Sequence, residues 1–175
     1  MIFLDTSVLV ATAQVSHTRH TPSRELWNQC ARHQTAVSTH TIAELYNTLT
    51  AMPPALRLAP RDAVLAVETF LQRLTTVDLS AEEYMETLRR TANLGHSGGM
   101  IYDALHLACA RKIQAEQIYT WNVKHFQMIA PDLAERVVTP CAISVSAFQL
   151  YRSLLPHGNP QRLHFPVEVA ALQSE

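Results

Sequence analysis

Short apolar segments alternate with longer segments of helical periodicity along the first 140 residues of the chain. The first apolar segment, Ile2-Phe3-Leu4, carries no charge, as expected of a strand that is buried on both faces. Strands that alternate with helices in this way are typical of an α/β domain with a mainly parallel sheet. The predicted strands are Ile2–Leu4, Thr35–Ser38, Thr76–Leu79 and Gln117–Trp121, with Arg136–Thr139 as a fifth candidate.

Capping residues mark the starts of several helices between these strands. Thr41 with Glu44, and Ser80 with Glu83, have the three-residue spacing of a capping box. A break over residues 94–99 holds three of the chain's four glycines and separates two helical segments. The predicted helices begin just after Asp5, at Pro60 and after Ser80, and cover about residues 21–33, 42–52 and 100–113.

The size and composition of the chain fit a single packed domain. Its 175 residues are 47% hydrophobic and 17% charged, which supplies a core and argues against disorder. The formal net charge of -1 argues against a strongly basic protein that coats nucleic acid, although a local basic patch could still steer phosphate. We expect one α/β domain over residues 1–140 and a C-terminal extension over residues 141–175, with a candidate helix at Ser144–Leu155.

The three cysteines, Cys30, Cys109 and Cys141, are far apart and form no Cys-x-x-Cys pair. Free buried thiols in a reducing compartment are therefore expected, and a disulfide framework or a zinc knuckle is not. The N-terminus shows no signal peptide, and no segment reaches the ~20 apolar residues that cross a bilayer. The sequence predicts a soluble, cytoplasmic protein without a membrane partner.

Three acidic residues and one asparagine stand in apolar surroundings and form the candidate active site. Asp5 and Asn122 each follow a predicted strand, whereas Glu44 and Asp103 lie in predicted helices. Ligands of parallel sheets bind at the carboxyl ends of the strands, so Asp5 and Asn122 are expected at one crevice. No Lys or Arg accompanies Glu44 or Asp103 at helical spacing, and only His106 could pair locally with Asp103. Clustered carboxylates repel one another unless a cation joins them, and hard oxygen ligands select Mg²⁺ or Mn²⁺.

Each of these residues also has a structural interpretation. Asp5 could simply cap the helix that follows it, and Glu44 could belong only to a capping box. Asn122 at a strand end is more often a turn residue than a ligand. His106 and His125 are expected at the site or its rim, with a structural role favoured. The order and setting of the four site residues together favour a functional site.

Four short motifs give the chain a resemblance to a known family. They are IFLDTSVL at residues 2–9, TIAEL at 41–45, YDALHLA at 102–108 and TWNVKHF at 120–126. With these motifs the chain resembles the PIN-domain ribonucleases, especially the VapC-like toxins of bacterial toxin–antitoxin pairs, from Met1 to about Pro140. The resemblance implies a three-layer α/β/α fold around a central, mainly parallel sheet of four or five strands.

The resemblance also implies a Mg²⁺- or Mn²⁺-dependent endoribonuclease that hydrolyses phosphodiester bonds with a metal-activated water. Asp5, Glu44 and Asp103 would bind the metal, and Asp5 or Asp103 would orient or deprotonate the water. Asn122 stands where many members have a fourth acid, so the metal would meet less negative charge. A cognate antitoxin protein and a homodimer are implied as partners, beside the RNA substrate. The polar helpers would be Thr6, Ser7 and Thr120.

Lys124, two residues after Asn122, is the best sequence candidate for contact with RNA phosphate. Arg89-Arg90 and Arg111-Lys112 are further candidates, for which solvated helix faces are the favoured interpretation. Stacking on an RNA base is the less favoured interpretation of the larger aromatic residues, which are expected in the core or an interface. These aromatic residues are Trp27, Tyr46 and Trp121.

Other functions fit the sequence less well. The nine histidines include no His-Glu-x-x-His motif, which argues against a zinc hydrolase. Ser7 lacks the Gly-x-Ser-x-Gly elbow of a serine hydrolase, and it stands where phosphatases that form an aspartyl-phosphate have a second Asp. The main alternative is a non-catalytic binding or regulatory module on the same fold, an interpretation that Asn122 supports.

Overall fold

The computed structural model of the protein describes residues 1–140, in which five parallel strands form one sheet. Strand β1 (Ile2–Leu4) lies at the centre, between β2 (Thr35–Ser38) and β4 (Gln117–Tyr119). The edge strands are β3 (Thr75–Val77), beside β2, and β5 (Val137–Val138), beside β4. All four pairings are parallel, so the carboxyl ends of the strands meet at one edge of the sheet.

Helices fill the connections between the strands. The first four are α1 (Thr6–Ala13), α2 (His20–Gln29), α3 (His40–Ala51) and α4 (Pro60–Leu71). The later ones are α5 (Ala81–Asn93), α6 (Met100–Lys112), α7 (Val123–Ile129) and a 3₁₀ helix over Pro131–Arg136.

The central strand contributes to two separate cores. Phe3 packs with Leu107 of α6 and Phe126 of α7, whereas Leu4 packs with Leu49 of α3. Successive side chains of a strand point to opposite faces, so these two cores lie on the two sides of the sheet. The predicted three-layer α/β/α architecture with a parallel sheet is confirmed, and the sheet has five strands.

Several element boundaries differ from the prediction. Helix α2 ends at Gln29 rather than near His33, because Cys30 is extended and a turn over residues 31–34 leads into β2. Strand β3 ends at Val77, the residue that pairs with Ser38 at the end of β2. Val64 lies at helical spacing from the buried Val67 of α4 but is 46% exposed.

The two predicted capping boxes have different outcomes. Ser80 accepts a hydrogen bond from the backbone of Glu83, whose side chain accepts one in return from the backbone of Ser80. The Thr41–Glu44 box is wrong, because α3 begins at His40 and its N-cap residue Thr39 makes no side-chain cap bond. Glu44 therefore lies in the body of α3, where its side chain is available for other contacts.

The predicted extension over residues 141–175, with the candidate helix Ser144–Leu155 and with Cys141, lies outside the described residues. The division of the chain at residue 140 therefore stays a prediction. In the part of the chain that the structure describes, every helix is too short or too polar to span a membrane. Cys30 and Cys109 are buried and free, as predicted.

Candidate active site

Asp5 lies at the carboxyl end of the central strand and begins helix α1 as its N-cap residue. Its backbone N–H donates to the carbonyl of Tyr119 at 2.9 Å, which ties it to the end of β4. Its Oδ2 accepts hydrogen bonds from Ser7 Oγ at 2.5 Å and Thr120 Oγ1 at 2.8 Å, and from the Ser7 backbone at 3.3 Å. The capping interpretation of Asp5 is thus correct, and the same carboxylate also joins β1 to β4.

Glu44 reaches the same edge of the sheet from helix α3. Its Oε2 accepts a hydrogen bond from Thr6 Oγ1 at 2.6 Å and lies 2.6 Å from Nε2 of His106. Its other oxygen, Oε1, lies 3.9 Å from Nε2 of His40, one helical turn earlier. Burial opposes ionisation of Glu44, but the hydrogen bond and charge of His106 lower its pKa overall.

His106 is 1% exposed and lies between two of the acids. Its Nε2 lies 3.8 Å from Oδ1 of Asp5, in addition to its short contact with Glu44. A carboxylate oxygen can only accept, so Nε2 carries the proton and donates it to Glu44. Its Nδ1 is buried and has no hydrogen-bond partner within residues 1–140. Burial would lower the pKa of His106, but the bond to Glu44 and the charges of Asp5, Glu44 and Asp103 raise it.

Asp103 lies in the first turn of α6 and is the acid with the most strongly disturbed pKa in the site. Burial is the largest cause, and the negative charge of Asp5 adds to it, so the pKa of Asp103 rises to about 6. Nδ1 of His125 lies 3.5 Å from Oδ2 of Asp103. His106 therefore pairs with Glu44 and Asp5, while the partner of Asp103 is His125.

These acids line a cleft with a volume of about 550 Å³. The residues predicted for the site that line it are Asp5, Thr6, Ser7, Glu44, Asp103 and Asn122. Thr120 is fully buried behind Asp5, and its Oγ1 also accepts from the backbone of Asn122 at 2.9 Å. Lys124 is exposed but does not line the cleft. The structure therefore brings together the acids and their polar neighbours and leaves out the predicted basic residue.

The side chains of the cleft are of the type that binds a hard divalent cation, but they are not arranged as a complete metal site. Each of Asp5, Glu44 and Asp103 supplies carboxylate oxygens, the ligands that Mg²⁺ and Mn²⁺ prefer. Burial first and the negative charge of Asp5 second raise the pKa of Asp103, and a bound cation would offset both effects. Within residues 1–140, however, no three or more His, Cys, Asp and Glu side chains form a ready-made metal site. Glu44 Oε2 is bonded to Thr6 and His106 instead.

Further residues that the sequence did not mark as part of the site also line the cleft, among them His17, Arg19, His40 and Tyr102. The ring of Tyr102 stacks on that of His40, with the centroids 4.9 Å apart and the planes at 13°. His40 precedes Glu44 by four residues, so helical spacing could have indicated His40. Tyr102 is adjacent to Asp103, and that spacing carries no such signal. Nothing near Arg19 in the sequence points to the cleft.

The model of the PIN domain family matches residues 2–128 of the chain. The chain belongs to the PIN domain family. Among curated relatives, ribonuclease VapC27 of Mycobacterium tuberculosis is 35% identical over 114 residues, which cover 65% of this chain and 79% of the relative.

Solved structures of toxins show the same fold. One of them is the crystal structure of Mycobacterium tuberculosis VapC20, described as a sarcin–ricin loop cleaving toxin. It matches this PIN-domain chain with a TM-score of 0.60 and 21% sequence identity. The match covers 71% of this chain and 92% of the VapC20 chain. A toxin–antitoxin complex from Klebsiella pneumoniae gives a TM-score of 0.56 at 19% identity, with 82% and 100% covered.

Proposed function

We propose that this PIN-domain protein is a metal-dependent endoribonuclease and the toxin of a toxin–antitoxin pair. The observation that carries the proposal is that Asp5, Glu44 and Asp103 line one cleft at the carboxyl edge of the sheet. A relative with 35% identity is named a ribonuclease, which supports RNA as the substrate class. Several acids in one cleft, with a raised pKa on one of them, are typical of sites that hold a divalent cation for phosphodiester chemistry.

Asp5, Glu44 and Asp103 would hold Mg²⁺ or Mn²⁺, which lowers the pKa of water and neutralises phosphate charge. Hydrogen bonds from neighbouring side chains orient two of these carboxylates. Ser7 and Thr120 fix Asp5 through its Oδ2, and Thr6 and His106 fix Glu44 through its Oε2. The second carboxylate oxygens, Oδ1 of Asp5 and Oε1 of Glu44, accept none of these hydrogen bonds and are available to a metal ion. Donors of this kind hold ligand groups in orientation before the cation arrives.

Asp103 is the residue that we assign to accept the proton of the attacking water. Its carboxylate lines the cleft with those of Asp5 and Glu44, whose Oδ2 and Oε2 are already hydrogen-bonded. Asn122 lines the same cleft with a neutral amide in place of a fourth charge. We assign it a hydrogen bond to substrate or water. Lys124 is exposed outside the cleft, so a contact with RNA there stays a prediction.

The partners we propose are a cognate antitoxin and a second copy of this chain. The similarity of the fold to a toxin in a toxin–antitoxin complex supports the first partner. For the homodimer, Trp27 is now excluded as contact surface, because it is buried against Phe70 at a centroid distance of 4.8 Å. Val64 and Leu65 on α4 remain exposed apolar side chains that a second copy could cover. Light scattering of the purified chain measures the dimer directly.

The decisive experiment is cleavage of a single-stranded RNA by the full chain with Mn²⁺, and with a chelator as the negative control. We expect Asp5→Asn to lower the rate by about 100-fold or more, because it removes a carboxylate from the metal site. Asp62→Asn is the matched control, since Asp62 is exposed on α4 and does not line the cleft. Full activity of Asp5→Asn would refute the assignment. Growth arrest on expression, relieved by Asp5→Ala, tests the toxin role in cells.

A non-catalytic binding module is the second candidate, and the neutral Asn122 favours it. Titration with Mn²⁺ separates the two functions. The nuclease binds Mn²⁺ and loses this binding in Asp103→Ala, whereas a binding module that keeps its acids for structure shows no such dependence.

A further inference from the structure

Arg19 is the only Lys or Arg among the residues that line the cleft in the described part of the chain. It is exposed and directly precedes helix α2. Its guanidinium carbon lies 4.8 Å from the centre of the Trp121 ring, and its Nη1 donates to the Trp121 carbonyl at 3.5 Å. The guanidinium is thus held beside the acids by contacts with one residue.

Three of the other basic residues considered for RNA contact already have a carboxylate partner. Arg111 makes a bidentate pair with Asp132 at 2.6 and 2.8 Å, and Arg90 lies 3.5 Å from the same carboxylate. Lys112 pairs with Glu83 at 2.8 Å. Within residues 1–140, by contrast, no carboxylate lies within 4.0 Å of the Arg19 guanidinium. Most of its donors are therefore free for a ligand that enters the cleft.

Trp121 connects Arg19 to the acids through a chain of hydrogen bonds. The Trp121 backbone N–H donates to Ser7 Oγ at 3.0 Å, and Ser7 Oγ donates to Asp5 Oδ2 at 2.5 Å. The indole Nε1 donates to Ser23 Oγ at 3.0 Å, which fixes the ring on α2. The ring under Arg19 is therefore held at a defined place relative to Asp5.

We propose that Arg19 binds a phosphate of the RNA substrate beside the acids, and that Trp121 is the residue that positions it. This inference rests on the proposed function, because it concerns the substrate of the same cleft. Three carboxylates repel a polyanion, so a strand that enters the cleft needs a cation near them. A guanidinium suits this role, since its fork of N–H donors matches the oxygens of a phosphate.

The test measures binding of a fluorescent single-stranded RNA to the full chain, in a chelator and over a series of salt concentrations. We expect Arg19→Gln to weaken binding several-fold and to reduce the slope of log affinity against log salt by about 0.7, the value for one phosphate contact on a single strand. Arg19→Lys should keep most of that slope. Arg61→Gln is the matched control, because Arg61 is exposed on α4 and does not line the cleft.

The positioning role of Trp121 has its own readout. We expect Trp121→Leu to weaken RNA binding, and we expect no additional loss when it is combined with Arg19→Gln, because both changes remove the same contact. Trp121→Phe keeps an aromatic face and should bind more tightly than Trp121→Leu. Additive losses in the double variant would overturn the positioning role.

The outcomes for Arg19 and for the nuclease are separable. An Arg19→Gln protein with unchanged affinity and salt slope overturns the phosphate contact, even if the unchanged chain cleaves RNA in Mn²⁺. Failure of the unchanged chain to bind RNA at low salt overturns it as well. A chain that shows the Arg19-dependent slope but does not cleave RNA in Mn²⁺ retains the contact and refutes the nuclease.

Discussion

Nε2 of His106 lies 2.6 Å from Oε2 of Glu44, so a buried histidine of α6 holds a carboxylate of α3 from 62 residues away in the chain. Thr6 donates to the same oxygen, so the two donors together fix the side chain of Glu44. A carboxylate of α3 that would otherwise rotate freely is thus kept facing the other acids.

His106→Ala should therefore lower the RNA cleavage rate by about 10- to 100-fold, the usual effect of removing a residue that orients a metal ligand. His106→Gln restores a side-chain N–H donor and should recover part of the rate. The measurement is kcat and KM with Mn²⁺, and the loss should lie mainly in kcat. His33→Ala is the control, since His33 is exposed in the turn before β2 and does not line the cleft. A His106→Ala protein with the full rate would show that Glu44 needs no such partner.

The stability of the metal-free protein should depend on the proton of Asp103. Its folded pKa of about 6 is above the ordinary value, so between about pH 4 and pH 6 the folded chain keeps a proton that the unfolded chain releases. The preference of the folded protein for protonated Asp103 therefore stabilises the fold at low pH, and this stabilisation is lost as the pH rises through 6. Asp103→Asn removes the titration and should gain stability relative to the unchanged protein, on the order of 2 kcal/mol at pH 7.

Urea denaturation in a chelator at about pH 4 and pH 7 measures this difference between the two proteins. The gain from Asp103→Asn should be small at the lower pH and larger at the higher one. Added Mn²⁺ should stabilise the unchanged protein at pH 7 and leave Asp103→Asn nearly unaffected. An equal difference between the two proteins at both pH values would contradict the raised pKa.

Phe126 is fully buried in the core between the sheet and helix α7. Phe126→Ala should lower the free energy of unfolding by about 3–5 kcal/mol, because a large cavity replaces the ring. Met128→Ala on the same helix should change it by less than about 0.5 kcal/mol, since Met128 is 50% exposed. Thermal or urea denaturation of the two variants compares them, and similar losses would show that the core does not extend to this helix.

The buried thiols should react only after unfolding. Burial raises the pKa of the Cys30 thiol to about 11 and raises that of Cys109, so little thiolate exists near pH 8. In a Cys141→Ser background, a thiol reagent should label the native protein slowly and the urea-unfolded protein at two sites. Rapid labelling of the native chain would show that this part of the core opens.

The features of the fold and site that depend on short sequence patterns could be predicted from the sequence. Asp5 follows a short apolar strand, and its place at the carboxyl edge of a parallel sheet follows from general topology. The wrong capping assignment of Glu44 has a physical cause. The three-residue spacing between Thr41 and Glu44 is the same whether or not the Glu44 side chain caps the helix. The contact that determines its orientation comes from His106, 62 residues later in the chain.

Arg19 shows why the remainder of the site was not predictable. Its place at the cleft depends on the Trp121 ring, which is 102 residues away in the sequence and is held by Ser7 and Ser23. No spacing or motif near Arg19 encodes that packing. Lys124, by contrast, is adjacent to the site in the sequence, yet helix α7 leaves it outside the cleft.

The central position of β1 also determines when, during synthesis of the chain, the acid cluster can be completed. β1 pairs on one side with β2, which is made early, and on the other side with β4, which is made only after Asp103 and α6. A growing chain therefore carries Asp5 and Glu44 through most of its synthesis without the fourth strand that seats Thr120 against Asp5. The cell that makes this protein meets a complete cleft only when synthesis of the domain is nearly finished.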